Sequence, residues 1–250
     1  MSSTFTTPTD AIRVFCGFPS PQLNREAFFT QLGQTFMPGT PYMLQPLGLA
    51  AYLPGVIADP PAGVPNEFAL ICYPSQQVWD FTMHKTLRGR IYNQSHMGVY
   101  AFPASAASFP RHIDDVPATA VDPLFLFPDC IDWQSGTTHS IVGKRGSSCT
   151  SGADFRATIR TPLLQKRNAL RALGIDQVVV LARDDFAIVW IHSKMPNLGT
   201  GVDFLKEALA TPVQLQHERV LCPDDPPTVT LAASRAFNFI FVREARFFLR

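Results

Sequence analysis

EFALICYPSQQVWDF, residues 67–81, decides how the rest of the chain is read. Six mostly apolar residues rich in β-formers are closed by Pro74, and Ser75 then stands where a helix N-cap would. An Ser hydroxyl accepts from a first-turn N–H, so a strand followed at once by a capped helix is expected here. The helix is expected to run through SQQVWDFTMHKTLRGR, 75–90.

Upstream, AIRVFCGF (11–18) reads as a strand, and LNREAFFTQLGQTF (23–36) places Leu23, Ala27, Phe28, Leu32 and Phe36 at helical spacing. LGLAAYLPGVI (47–57) reads as a strand broken at Pro54, and MGVYAF (97–102) as a fourth strand. The first half thus has the order β-α-β-β-α-β, the ferredoxin-like arrangement. The second half reads similarly. FRATIR (155–160) is taken as a strand, and TPLLQKRNALRAL (161–173) as a helix capped by Thr161 and ended by Gly174. DQVVVLA and FAIVWIHS form a hairpin around residues 183–185. GVDFLKEALA (201–210) is a helix, and VQLQHERVL (213–221) a strand. TVTLAA (228–233) and AFNFIFVREARFF (236–248) add β structure. The proline-rich stretches 38–46, 53–65 and 222–227 read as breakers. The expected division is a first ferredoxin-like half at 1–105, a connection or elaborated loop at 106–153, and a second half at 154–250.

On that order, and on EFALICYPSQQVWDF, the sequence resembles the dimeric α/β-barrel superfamily. The resemblance implies an α+β fold in which two β-α-β-β-α-β units join their sheets within one chain. It implies no single activity: the superfamily includes monooxygenases, cyclases, heme enzymes, lyases and non-catalytic proteins.

Composition narrows the classes. The chain has 250 residues, 46% hydrophobic and 16% charged, with 21 basic against 20 acidic side chains. That is a globular composition with no global field for nucleic acid. No 18-residue apolar window suggests a membrane span. MSSTFTTPTDAIRVF lacks a basic start and apolar run, so a cytoplasmic location is expected, or secretion if a leader precedes this sequence. Five cysteines, widely spaced without CxxC, read as free thiols, with Cys130–Cys149 the pair to check. Histidines are scattered, and HxH, HExxH, Walker and GxGxxG patterns are absent, so neither metal nor cofactor is expected.

The ionisable groups concentrate in HKTLRGRIYNQSHMGVY, residues 84–100, with two of the six His and two of the five Tyr. On one helix, His84, Arg88, Tyr92 and His96 would follow each other at four-residue steps, a stripe drifting about 40° per step. Gly89 is the weak point where that helix would end. Cations neutralise a carboxylate, and His and Tyr exchange protons. His96, Tyr92 and His84 are therefore the candidate acid–base groups. Arg88, Lys85, Arg90, Tyr100, Trp79 and Arg111 are the candidate binding groups. The sharpest reading is a cofactor-independent lyase cleaving an anionic, alginate-like uronate polysaccharide by β-elimination. Alternatives are a cofactor-free monooxygenase or cyclase on an aromatic polyketide-like small molecule, favoured by 20 Phe, and a non-enzymatic binding protein. A heme role is a fourth. The bland alternative for the cluster is a solvated helix face. Lesser candidates are His112, His139, Trp133 and Tyr42, while His192 and His217 read as structural. The chain is expected to act as a monomer or homodimer.

Overall fold

The structure is a computed structural model that describes residues 6–196, 199–221 and 236–242. Its first unit runs β1 (Ile12–Gly17), α1 (Arg25–Gln31), α2 (Met37–Leu44), β2 (Ala51–Ile57), β3 (Glu67–Cys72), α3 (Gln76–Asp80), α4 (Leu87–Val99) and β4 (Ala106–Ser108). The short strands β5 (Arg111–His112) and β6 (Leu124–Phe125) follow. The second unit runs β7 (Thr137–Arg145), α5 (Gly152–Gln165), α6 (Arg167–Ala172), β8 (Ile175–Ala182), β9 (Phe186–Ser193), α7 (Asp203–Glu207) and β10 (Leu209–Gln216). β11 (Glu218–Leu221) and β12 (Ala236–Val242) end the described chain.

Two six-stranded sheets result, ordered β11-β12-β2-β3-β1-β4 and β10-β7-β9-β8-β6-β5. Four strands of each, β2-β3-β1-β4 and β10-β7-β9-β8, follow the ferredoxin-like order. The α+β fold expected from the sequence, two such units forming a dimeric-α/β-barrel-like architecture in one chain, is the fold observed. Each sheet is extended at its second-strand edge in the same way. A strand added there pairs antiparallel, β12 on β2 and β6 on β8. It then pairs parallel with a strand that comes shortly after a fourth strand: β11 after β10, and β5 after β4. Only His217 separates β10 from β11, so one run of chain joins both sheets.

Alternation sorts the side chains into layers. Ile12, Val14, Cys16, Leu53, Phe68 and Leu70 face Trp133, Val142, Leu181, Ile188 and Trp190, so the space between the sheets is packed. Residues one step along the same strands face the helices. On the second sheet that face is filled by Phe155, Ile159, Leu163 and Leu205. Fully buried Arg160 there donates to the carbonyls of Ala118 and Asp122. On the first sheet Phe15, Tyr52, Ala69 and Tyr73 meet Phe28, Phe36, Met83 and Tyr92.

Several elements differ from their sequence reading. Residues 37–44 are helical although they include Pro38 and Pro41. Pro38 lies just after a π-helical turn, Leu32–Phe36, where the regular i→i−4 ladder is already interrupted. β2 is unbroken at Pro54, which pairs Ala69 of β3, while β12 shows no ladder pair at Pro54 between Asn238↔Gly55 and Phe241↔Tyr52. The missing donor therefore disturbs no pair on the β12 side. MGVYAF is not a strand: α4 continues to Val99, and the fourth strand is Ala106–Ser108. FRATIR is helical, because Ser151 accepts from Asp154 N–H and starts α5 there; Pro162 lies inside α5 rather than at its start. Residues 106–153 carry β4 to β7. GVDFLKEALA forms only the short α7 and enters β10 at Leu209. Gly174, at φ 80°, does end the helix before β8. TVTLAA, residues 243–248 of the last apolar run, and Cys222 lie outside the described residues. Cys130 and Cys149 are free thiols.

The helix after β3 also breaks elsewhere than expected. It passes through a π-helical turn, Phe81–Lys85, and stops at Thr86, which has extended backbone and caps α4 as its side-chain hydroxyl accepts from Gly89 N–H. Gly89 is buried inside α4, and a Cβ there would collide with the backbone carbonyl of Thr82. Gly→Ala within a helix ordinarily stabilises by about 1 kcal/mol. Here Gly89→Ala is expected to destabilise by about 1–3 kcal/mol through overpacking. A lowered urea midpoint checks this, and a raised one would show that the turn yields freely.

Candidate active site

β1 and β3 are neighbours, with Arg13 opposite Ile71 and Phe15 opposite Ala69. Their helix-facing side chains form the floor of a cavity of about 350 Å³. Arg13, Phe15, Ile71 and Tyr73 come from the sheet, Leu44 from α2, Trp79 and Met83 from the α3 region, and Tyr92 and His96 from α4. Exposed Met97 and Phe102 stand among the lining, with Asn93 and Gln94. The lining is aromatic and aliphatic, with a few polar groups, which suits a small organic ligand.

His96 is the titratable group best placed for proton transfer. Its ring packs edge-on against Phe36 at 4.6 Å and Tyr92 at 4.8 Å between centroids. Nδ1 donates to the Tyr92 carbonyl at 3.0 Å, which leaves Nε2 as the lone-pair nitrogen. Burial holds its pKa below the usual histidine value, partly offset by backbone contacts to Tyr92 and Asn93. It is therefore neutral at pH 7, a base.

Tyr92 is buried, and its hydroxyl meets Thr40 Oγ1 at 2.8 Å. Burial drives its pKa far above the ordinary tyrosine value, so it is a neutral phenol. Behind it lies an acid in the core. Glu67 is 1% exposed. Tyr52 donates to its Oε1 at 2.9 Å and Tyr100 to its Oε2. Burial pushes the Glu67 pKa up to about 7, with the two tyrosine hydroxyls pulling the other way. Gly17 permits this packing, since a Cβ there would stand 2.7 Å from the Tyr100 ring. Tyr52 also meets Thr40, so hydroxyls link Tyr92 through Thr40 and Tyr52 to Glu67.

Arg13 is the cation of the cavity. Its guanidinium lies 4.3 Å from the Trp79 ring and 4.7 Å from that of Phe109, and donates to the Ala107 carbonyl at 2.8 Å. Burial lowers its pKa to about 10, so it stays charged at neutral pH.

Of the residues singled out in the sequence, Tyr92, His96 and Trp79 line this cavity, and Tyr100 lies beneath it on Glu67. The others are not brought there. His84 precedes the break at Thr86; it is half exposed, packs on Trp79 and stands 3.9 Å from Asp80. Lys85, Arg88 and Arg90 are exposed and outside the lining. Arg111 lies on β5, 4.0 Å from Asp122. His112 faces Asp114 at 3.7 Å. Trp133 is packed between the sheets and Tyr42 is exposed on α2. His139 is buried on β7, His217 meets Ser140 at 2.7 Å, and His192 Nδ1 meets Asp176 at 2.5 Å. Arg13, Glu67, Tyr73, Tyr52 and Thr40 were not singled out. Arg13 and Glu67 carried a signal: each is a lone charge within an apolar strand run, AIRVFC and EFALIC.

Among the described residues no group of three His, Cys, Asp or Glu side chains could hold a metal, and no helix is long and apolar enough to cross a membrane. No family model matches the chain, and no curated protein matches it. Solved structures do align with it. A proposed monooxygenase from Lactobacillus acidophilus NCFM aligns at TM-score 0.35 and 5% identity, covering 84% of this chain and 92% of that one. A proposed monooxygenase from Fusobacterium nucleatum aligns at 0.39 and 8%, covering 82% and 89%. An anthrone oxidase-like protein aligns at 0.32 and 10%, covering 82% and 88%. At these TM-scores none of the likenesses bears on function; the cavity's own residues do.

Proposed function

We propose that this chain is a cofactor-independent acid–base enzyme acting on a planar, largely apolar small molecule, in its finer form a monooxygenase of an aromatic polyketide-like substrate. One observation carries the reading: an aromatic-walled cavity of about 350 Å³ has a neutral imidazole in its lining. The alginate-lyase reading loses its basis, because it required an open groove lined by Arg88, Lys85 and Arg90, and those cations are exposed outside the cavity.

The step that fits is removal of a proton from an activated methylene. His96 Nε2 takes the proton, and Arg13 offsets the charge left on the conjugated oxygen. The carbanion gives one electron to dioxygen, the co-reactant, and the two radicals combine as a peroxide. The His96 proton passes to the peroxide oxygen. Loss of the second C–H proton with cleavage of the O–O bond then yields a carbonyl and one water. One methylene and one dioxygen thus become one ketone and one water, with no group oxidised other than the substrate.

Oxygen uptake tests this. The protein, with no added flavin, metal or heme, is given anthrone, hydroxylated naphthalenes, alginate and pectate. Dioxygen consumption matched by quinone formation on a polycyclic substrate is expected. Unsaturated-uronate absorbance from a polymer, with every aromatic compound untouched, would overturn the reading.

A further inference from the structure

Burying a cation next to apolar surface is costly unless an anion accompanies it. Among the described residues, every arginine that pairs with a carboxylate does so away from the cavity: Arg25 with Asp59, Arg111 with Asp122, Arg145 with Asp185, Arg156 with Asp184, Arg167 with Asp114 and Arg171 with Asp129. Arg13 differs. Among the described residues no carboxylate lies within ion-pair distance of it. Its contacts are two aromatic faces and one backbone carbonyl, which leave most of its five N–H donors unused.

A second group points the same way. Tyr73 follows β3 on the same helix-facing side as Arg13 and is fully buried. Its hydroxyl has no hydrogen-bond partner among the described residues, and the residue lines the same cavity. An orphaned buried hydroxyl is uncommon in a packed interior. A guanidinium with unused donors and an orphaned hydroxyl therefore line one apolar cavity. Asp80, the nearest acid along the chain from Trp79, stands by His84 instead, and Glu67 is occupied by Tyr52 and Tyr100.

We infer that the ligand of this cavity is an aromatic anion, whose carboxylate or acidic enol oxygen is held by the Arg13 guanidinium and the Tyr73 hydroxyl while its rings lie against Phe15, Trp79 and Tyr92. This rests on the small-molecule reading above and narrows its substrate class. The guanidinium packs against both Trp79 and Phe109, which themselves meet edge to face, so it is oriented before the ligand arrives, and a planar fork is matched to a planar oxyanion.

Three probes separate the possibilities by calorimetry: 2-naphthoate, a carboxylate; 2-hydroxy-1,4-naphthoquinone, an acidic enol; and 2-naphthalenemethanol, uncharged. At least one anion is expected to bind about tenfold or more tightly than the alcohol. The anion that does so identifies the oxygen group. Arg13→Gln is expected to remove that preference while leaving alcohol binding nearly unchanged, and Tyr73→Phe to reduce it several-fold. Arg13→Lys keeps the charge but not the fork, and should hold an intermediate preference even if the Gln variant fails to fold. Equal affinity for alcohol and anions, or a preference that survives both Arg13→Gln and Tyr73→Phe, would overturn the inference and leave the small-molecule reading standing. If none of the three binds, the cavity is not an aromatic ligand site and both fall.

Discussion

His96→Ala is expected to lower kcat/KM on the oxidised aromatic substrate by roughly 10²–10⁴-fold, the usual contribution of a placed general base. Some stability is expected to go with it, since the imidazole bonds backbone at Tyr92 and Asn93 and packs on Phe36 and Tyr92, so the rate is compared on folded protein. Binding of an aromatic probe should persist, because Phe15, Trp79 and Tyr92 still line the cavity. The pH dependence follows from the direction of the shift. Burial lowers the His96 pKa below 6.5, and the neutral form is the active one. Activity is therefore expected to hold down through pH 6.5 and fall only below the lowered pKa. A rate profile measured from pH 5 to pH 8 checks this. An inflection above 6.5, or a His96→Ala enzyme with the wild-type rate, would remove His96 from the role of base.

Glu67 is expected to give the largest stability effect. Glu67→Leu removes the acceptor of both Tyr52 and Tyr100, leaving the buried Tyr100 hydroxyl unpaired and Tyr52 with Thr40 alone. The stranded Tyr100 hydroxyl costs about 1–3 kcal/mol and the hydrogen bond lost by Tyr52 about 1 kcal/mol more, so a loss of about 2–4 kcal/mol is expected. Glu67→Gln, which keeps an acceptor oxygen, should lose less. The pH dependence has a definite sign. The Glu67 pKa is raised in the folded state to about 7, against an ordinary 4.5. Its protonated form thus favours the folded state. That contribution is complete below pH 4.5 and is lost as pH rises through 7. The span corresponds to about 3 kcal/mol. Urea midpoints for wild type should therefore fall between pH 5 and pH 8 by more than those of Glu67→Gln. Parallel curves for the two proteins would show that Glu67 is ionised throughout.

Local signals carried much of the fold. Near-continuous apolar runs rich in β-formers mark β1, β3, β8 and β9, and Ser75 does accept from Val78 N–H as the helix cap. Local rules failed where tertiary packing overrode them. Pro38 and Pro41 sit in a helix that closes over Tyr92, and Pro54 sits in a strand at a point where β12 shows no ladder pair. FRATIR alternates like a strand, yet the Ser151 cap and the burial of Phe155, Arg156, Ile159 and Arg160 make it one face of α5.

The site was legible only in part, for a related reason. His96, Tyr92 and Tyr100 were marked by chemistry and spacing within residues 84–100, and Trp79 as an aromatic just before them. Lys85, Arg88 and Arg90 share that segment but are exposed, because a helix that buries Tyr92 turns its other sides to water. The cation that does line the cavity, Arg13, lies far away in sequence, on a strand read as plain core. The sequence by itself determined the α+β class, the ferredoxin-like order, the central strands β1, β2, β3, β8 and β9, and a histidine–tyrosine pair on one helix, because these depend on apolar runs, periodicity and capping over a few residues. Only the tertiary structure decided which side of the first sheet stays partly open, that Arg13 and Tyr73 line one cavity with His96, and that Glu67 lies beneath it on Tyr52 and Tyr100. Strand register and helix docking bring together residues that no local pattern connects.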